Sequence, residues 1–325
     1  MSHETFELLE RLRRAKTRAA MATLVRTKGT TPRKEGTKMF VGEDGAVFGS
    51  VTIGGCVDAR VMEHAGEVIA GSAPRLLELQ LGDEEAWEIG LTCGGTVSVF
   101  LEPVTNELLD LYDVARKACR EGRSVALATT IAGAPAGAHA LLENSAAQTS
   151  TDGVYVEVLR PPVTLMIFGA GAVSIPLVDL AKTLGIKTVV VDGRPRFANR
   201  ERFPNADELR IGIVSEIAAQ LELGPATPVV LTAHDYKIDV PVLERVLAAS
   251  VPYVGLLGSR RRGAAILQLL REQGVAEEQL ARVRVPIGLD LGGDTAAEIA
   301  LSIASEVVAA MHGRSGSPLS AAARR

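Results

Sequence analysis

Apolar positions recur at helical spacing over residues 3–19, and the period then changes. Residues 21–27 run apolar and small into a polar stretch, 28–36, punctuated by Gly and Pro, which predicts a strand followed by a loop. Residues 39–41 and 46–48 flank Glu43-Asp44-Gly45, whose Asp-Gly pair suits a hairpin turn. Asp58, Val61, Met62, Ala65, Val68 and Ile69 give a helix with one apolar face, which places Cys56 at a helix N-terminus. Residues 76–81 read as a strand. Thr96-Val97-Ser98-Val99-Phe100-Leu101 alternates as a strand does, so Cys93 stands just before one. A helix over 108–121, a strand over 125–131 and a strand over 154–159 complete the first half.

Arg160-Pro161-Pro162 marks a boundary, because consecutive prolines stiffen the backbone and stop regular pairing. Beyond it strands (163–168, 188–191, 229–231, 253–256) alternate with helices beginning near Ala172, Glu216, Val240 and Arg261, the rhythm of βαβ units and a parallel sheet. A last helix over 295–311 opens on Thr295 with Glu298 three residues on, a capping-box pattern. The expected fold class is α/β: an N-terminal mixed α+β domain over 1–160 carrying paired Cys-Gly turns, a Rossmann-like doubly wound parallel-sheet domain over 161–312, and a flexible tail over 313–325 rich in Ser, Gly and Ala.

Composition narrows the partners. With 325 residues, 47% of them hydrophobic, and a net charge of −4, the chain supports two cores and argues against broad binding to nucleic acid or anionic membranes. Arg260-Arg261-Arg262 is too short for a nucleic-acid groove. The longest apolar stretches, 125–142 and 299–311, are interrupted by Gly, Pro, His or Glu and fall short of a membrane span. Three cysteines without a Cys-x-x-Cys pair, and no secretory apolar segment, point to reduced thiols and a cytoplasmic location.

The candidate chemistry sits in two places. Gly54-Gly55-Cys56 and Cys93-Gly94-Gly95 each set a thiol beside glycines that tolerate positive φ and leave room above the backbone. A small residue buried beside a tight turn is the plainer role for a cysteine, and Cys119 fits it. Cys56 differs, because a helix N-terminus lowers a thiol pKa. The spacing supplies no zinc-ligand pair.

Gly169-Ala170-Gly171-Ala172-Val173-Ser174 follows a strand and opens a helix, the setting in which Gly169 and Gly171 let a pyrophosphate approach backbone N–H groups. Asp192 closes the next strand, where an acid accepts hydrogen bonds from a ribose. Ser174 stands in place of the third glycine and is expected to loosen the packing there. A fold of this type that holds no dinucleotide stays open. Ser259 can cap the helix that Arg260 begins, and an arginine there can fork onto a phosphate. His234 and Asp235 also follow a strand, as ligand contacts or as residues that only bond the turn.

No Tyr-x-x-x-Lys, Gly-x-Ser-x-Gly or His-Glu-x-x-His pattern occurs, and no proton donor is announced beyond His234 or His64. The chain reads as a binding device more than a catalyst. An NAD(P)-dependent oxidoreductase and a nucleotide-sensing interaction protein are the alternatives.

With these motifs in place, the chain resembles the xanthine dehydrogenase accessory factor family (XdhC/CoxI type). The resemblance runs through Gly29-Thr30-Thr31-Pro32-Arg33, Gly36-Thr37-Lys38-Met39, Gly54-Gly55-Cys56-Val57-Asp58, Gly90-Leu91-Thr92-Cys93-Gly94-Gly95 and Phe100-Leu101-Glu102-Pro103 in the first half. In the second it runs through Phe168-Gly169-Ala170-Gly171, Val191-Asp192-Gly193-Arg194-Pro195, Phe197-Ala198-Asn199, Arg202-Phe203-Pro204, Tyr253-Val254-Gly255-Leu256-Leu257-Gly258-Ser259-Arg260 and Pro286-Ile287-Gly288-Leu289-Asp290.

The resemblance implies an accessory protein that binds molybdenum cofactor, guards it while a separate cysteine desulfurase adds the terminal sulfur, and delivers it to an apo-molybdenum hydroxylase of the xanthine dehydrogenase or carbon monoxide dehydrogenase type. Cys56 and Cys93 are then the leading cofactor contacts, with Asp58 nearby and Gly54, Gly55, Gly94 and Gly95 making room. Two thiols suit a soft, sulfur-bearing metal centre, and Arg33 or Lys34 with backbone amides suits its phosphate. Gly169, Gly171, Asp192, Ser259 and Arg260 would take NAD(P), a nucleotide arm of the cofactor, or nothing. A homodimer is the candidate assembly. Two positions depart from the family pattern: Asp58 stands where Glu is frequent, and Ala172 where a His often follows the fingerprint.

Overall fold

The computed structural model describes residues 2–29, 33–52, 55–71, 73–81, 95–142 and 150–321. Contacts divide the chain into two compact units, Met1–Pro161 and Pro162–Arg325.

In the first unit the described elements are α1 (Ser2–Ala15), β1 (Ala19–Gly29), β2 (Lys38–Gly42), β3 (Val47–Gly49), α2 (Cys56–Gly71), β4 (Arg75–Leu81), β5 (Gly95–Pro103), α3 (Asn106–Arg120), β6 (Val125–Thr130), β7 (His139–Leu142) and β8 (Val154–Leu159). The first helix is shorter than its apolar spacing predicts. Lys16 takes φ 52°, a left-handed conformation that stops a helix, and the strand then starts at Ala19. An antiparallel sheet of order β3-β2-β1-β5-β4 forms the floor. Val57, Val61, Ala65 and Val68 of α2 pack on one side of it, against Ala22, Leu24, Val97 and Val99. Alternate side chains of the same strands, such as Met21 and Phe40, join α1, α3 and the small sheet β7-β6-β8 in a second core.

The second unit contains β9 (Thr164–Phe168), α4 (Ser174–Thr183), β10 (Lys187–Asp192), β11 (Glu208–Ile211), α5 (Val214–Gln220), β12 (Val229–Leu231), α6 (Tyr236–Leu247), β13 (Val254–Leu256), α7 (Arg260–Glu272), α8 (Glu277–Leu280), β14 (Val283–Arg284) and α9 (Ala296–Met311). Its sheet is parallel throughout, in the order β11-β10-β9-β12-β13-β14. Counted along the chain this is 3-2-1-4-5-6, the order of dinucleotide-binding sheets, with its direction reversing between β9 and β12. The unbroken apolar runs follow from burial on both faces: Val189 and Val191 enter one core, Val190 the other. The fold is therefore α/β with a Rossmann-like second unit and antiparallel sheets in the first. Among the described residues no helix is long and apolar enough to cross a membrane.

Candidate functional site

Strand register gathers one set of loops at one end of the five-stranded sheet. Gly29, where β1 leaves, pairs with Gly95, where β5 enters; Leu81, where β4 leaves, pairs with Gly95 too. Met39 at the entry of β2 pairs with Gly49 at the exit of β3. The far end of α2 lies at the opposite edge, because the Arg18 guanidinium donates to the Ile69 carbonyl beside the start of β1. Cys56, the first residue of α2, therefore begins its helix at the edge where β5 is entered.

Local chemistry at this edge is set by hydrogen bonds. Gly55 has φ +43°, is exposed and has no atom within 4 Å of the place a Cβ would occupy. The Asp58 carboxylate accepts from the Ser50 hydroxyl and from the backbone N–H groups of Val51 (3.1 Å) and Thr52 (3.3 Å), so it ties the segment before α2 to the first helical turn. Arg33 and Lys34 are exposed on a loop held to β1 by a Gly36 N–H bond to the Leu24 carbonyl (2.8 Å) and a Thr27 N–H bond to Glu35 (3.0 Å). Gly95 has a packing reason of its own: a Cβ there would strike the Lys28 carbonyl across the strand pair. Gly54, Cys93 and Gly94 lie outside the described residues. Cys119 is buried in α3, and burial pushes its thiol up from the ordinary value.

A polar cluster that no sequence motif announces is enclosed between the two sheets of the first unit. Lys38 pairs with Glu157 at 2.8 Å and donates to Thr23 (3.2 Å); Tyr112 donates to Glu157 (3.3 Å). His139 meets Glu102 at 2.7 Å through Nε2 and Thr129 at 3.1 Å through Nδ1. The Lys38 and Glu102 side chains are each only 5% exposed. Burial is also the main cause that raises the Tyr112 hydroxyl pKa well above its ordinary value. A surface cavity of about 390 Å³, lined in part by Glu102, Thr105, Leu108, Gly137 and His139, opens onto this cluster. The available signal was charge at positions where strand alternation points inward.

In the second unit the fingerprint turn has the shape its glycines predict. Gly169 takes φ +117°, and a Cβ there would come within 2.5 Å of the Ala233 nitrogen, whereas a Cβ on Gly171 would meet nothing nearer than the Thr232 carbonyl at 3.9 Å. The first glycine permits the close turn and the second leaves space above the backbone, which fits a pyrophosphate approach. Ser174 does not loosen the packing as expected. It is fully buried, donates to the Gly169 carbonyl (2.7 Å) and shares a 2.9 Å hydrogen bond with Thr232, so its hydroxyl ties strand ends β9 and β12 to α4.

Asp192, 3% exposed, accepts from the Ala170 N–H (2.7 Å) and from Arg194 through its backbone N–H (2.9 Å), Nε (2.9 Å) and terminal nitrogen (2.8 Å). Burial alone would raise this carboxyl, but the hydrogen bonds and charge of Arg194 and the Ala170 N–H outweigh it and hold the pKa below the ordinary value. Arg194 and Arg202 stand over the Phe197 ring, at 4.1 and 5.1 Å from its centre, and Arg202 donates to the Ala170 carbonyl at 3.1 Å.

One strand beyond β12, Ser259 caps α7 by accepting from the Arg262 N–H (3.2 Å), while Arg260 is exposed. The Arg262 guanidinium turns inward to the wholly buried Asp239 of α6, and a Cβ on Gly258 would lie 2.9 Å from its Cδ. Asp235 caps α6 through the Lys237 N–H (3.0 Å), and His234 precedes it at φ 59°. The Gly169 turn, His234 and Ser259 thus share the carboxyl edge of one parallel sheet, where ligands of open α/β sheets bind.

Residues 165–307 match the model of the XdhC Rossmann domain, and residues 12–80 match that of the XdhC and CoxI family. The chain is 25% identical to a probable xanthine dehydrogenase subunit of Bacillus subtilis (strain 168), over 93% of this chain and 96% of that protein. It is 28% identical to the molybdenum cofactor insertion chaperone PaoD of Escherichia coli (strain K12), over 89% and 82% of the two chains. A crystal structure described as a xanthine dehydrogenase from Bacillus halodurans superposes with a TM-score of 0.83 at 27% identity, covering 98% of this chain and 97% of the other.

Proposed function

The chain belongs to the XdhC and CoxI family, and from that premise we propose that it carries molybdenum cofactor as cargo for a molybdenum hydroxylase. In this reading the cargo rests at the edge of the first unit where α2 begins and β5 is entered. The convergence of Cys56, the Arg33–Lys34 loop and the entry to β5 on that edge carries the assignment. Cys56 and Cys93 offer soft donors to the sulfur-bearing centre. Arg33, Lys34 and the N–H groups at the start of α2 offer positive charge to the cofactor's phosphate. Asp58 acts through the Ser50–Thr52 segment, which it holds in place.

The protein guards the cargo while a separate cysteine desulfurase supplies the terminal sulfur, and it hands the finished cofactor to an apo-enzyme of the xanthine dehydrogenase or carbon monoxide dehydrogenase type. The second unit contributes a dinucleotide-type cradle at Gly169 and Gly171. A transfer assay tests the reading: protein purified from cells that make the cofactor is mixed with apo-hydroxylase. Hydroxylase activity that rises with added protein, and fails to rise with Cys56→Ser protein, is the expected result. Equal activation by the variant would overturn the role of the thiol.

A further inference from the structure

We propose that the crevice of the second unit selects a dinucleotide phosphorylated on its adenosine ribose, of the NADP class, over NAD, and that Arg194 is the selecting residue. The inference rests on the reading that this crevice holds a dinucleotide at all. In a sheet of order 3-2-1-4-5-6 with the pyrophosphate over the first turn, the adenosine ribose falls beside the carboxyl end of the second strand. Here that is β10, and Asp192 is its last residue.

An acid at this position selects NAD by accepting hydrogen bonds from the ribose hydroxyls. Asp192 has no such capacity to spare. A carboxylate offers about four acceptor positions, and the donors that fill them are already in place: the Ala170 N–H, and the backbone N–H, Nε and terminal nitrogen of Arg194. The same fork cancels the negative charge that would repel a ribose phosphate. Positive charge remains, because Arg194 and Arg202 both stand over the Phe197 ring and Asp192 balances only one of them.

The two guanidinium groups differ in freedom. Arg202 is tied to the carbonyls of Ala170 (3.1 Å) and Phe197 (2.9 Å), whereas the Arg194 side chain is 54% exposed although it grips Asp192. Arg194 can thus present its outer N–H edge to a phosphate, and a planar guanidinium matches phosphate oxygens in a forked pair. Asp192 behind it fixes where that edge points.

Calorimetric titration of the full-length protein with NADP+ and NAD+, and with 2′,5′-ADP and 5′-AMP as fragment probes, tests the proposal. The phosphorylated member of each pair should bind at least about tenfold tighter, an advantage that shrinks as salt rises. Arg194→Leu should weaken NADP+ by about tenfold or more and leave NAD+ unchanged or tighter, because Asp192 regains its acceptor positions. A merely structural role for Arg194 would weaken both ligands together. Should the leucine variant melt before titration, Arg194→Lys, which keeps the charge and loses the fork, should give an intermediate preference. Equal or tighter NAD+ binding by the wild type, or a preference that survives in Arg194→Leu, would overturn the selectivity while sparing the dinucleotide reading. Binding of neither nucleotide would overturn both.

Discussion

Replacing Arg262 with Met would remove the partner of a carboxylate that has no access to solvent. Asp239 is 0% exposed; its Oδ2 accepts from Arg262, and its Oδ1 is one of two buried polar side-chain atoms without a hydrogen-bond partner among the described residues. Burial raises the Asp239 carboxyl above its ordinary pKa, and the hydrogen bond and charge of Arg262 pull it part of the way back. Breaking a buried pair by removing one partner costs about 3–5 kcal/mol; the Arg262 side chain keeps 22% exposure, so the lower end, about 3 kcal/mol, applies.

The sign of the pH dependence follows from that raised value. A carboxyl whose folded-state pKa exceeds its unfolded one contributes stability fully present below the unfolded pKa and lost as pH rises through the folded value. Removing Arg262 raises the folded value further, so the variant's deficit is greatest at alkaline pH and shrinks toward the ordinary carboxylate range. At about 2–4 °C per kcal/mol for a unit of this size, scanning calorimetry near pH 8 should find the second unit melting about 6–12 °C lower in Arg262→Met, with a smaller gap near pH 5. A shift under about 2 °C, or a gap equal at the two pH values, would mean that Arg262 does not stabilise the buried Asp239 carboxylate.

Gly258→Ala places a methyl group 2.9 Å from Arg262 Cδ, so it should reproduce the Arg262→Met defect at lower amplitude, about 1–2 kcal/mol by urea unfolding. Ser174→Ala removes the hydroxyl shared by Gly169 and Thr232 and should cost the second unit about 1–2 kcal/mol in the same assay, rather than tightening a loosened turn. In the first unit, Lys38→Met leaves Glu157 enclosed without its cation, a loss of about 3 kcal/mol; combining it with Glu157→Leu should restore most of that stability, which hydrogen exchange of β2 and β8 can follow.

Much of this architecture is legible in the sequence because burial writes itself as period. Val189-Val190-Val191 has to be a strand covered on both faces, and Thr295 with Glu298 announces a helix start that the structure keeps, the Glu298 N–H donating to Thr295 at 3.3 Å. Short elements escaped: His139–Leu142, Glu208–Ile211 and Val283–Arg284 are strands only because neighbours supply their pairing, and four residues or fewer carry little periodicity of their own.

The candidate site was legible in parts. Glycines advertise backbone requirements, so the Gly169 turn is readable in advance, while the reason for Gly95, a carbonyl across the sheet, depends on register. Side-chain partnerships between distant strands leave no local trace. Lys38 with Glu157 and Glu102 with His139 meet only after two sheets pack, and the grip of Arg194 fills the acceptor positions of the Asp192 carboxylate without altering the motif.

The carrier account is tested most directly by the cofactor content of the protein itself, isolated from cells with active cofactor synthesis. Pterin, read as its fluorescent oxidation product, and molybdenum should copurify with the wild type in near-equal amounts. Both should be lost from a Cys56→Ser, Cys93→Ser variant that retains the wild-type circular dichroism spectrum. A wild type that emerges free of pterin, or a folded double variant that keeps its full load, would contradict the account.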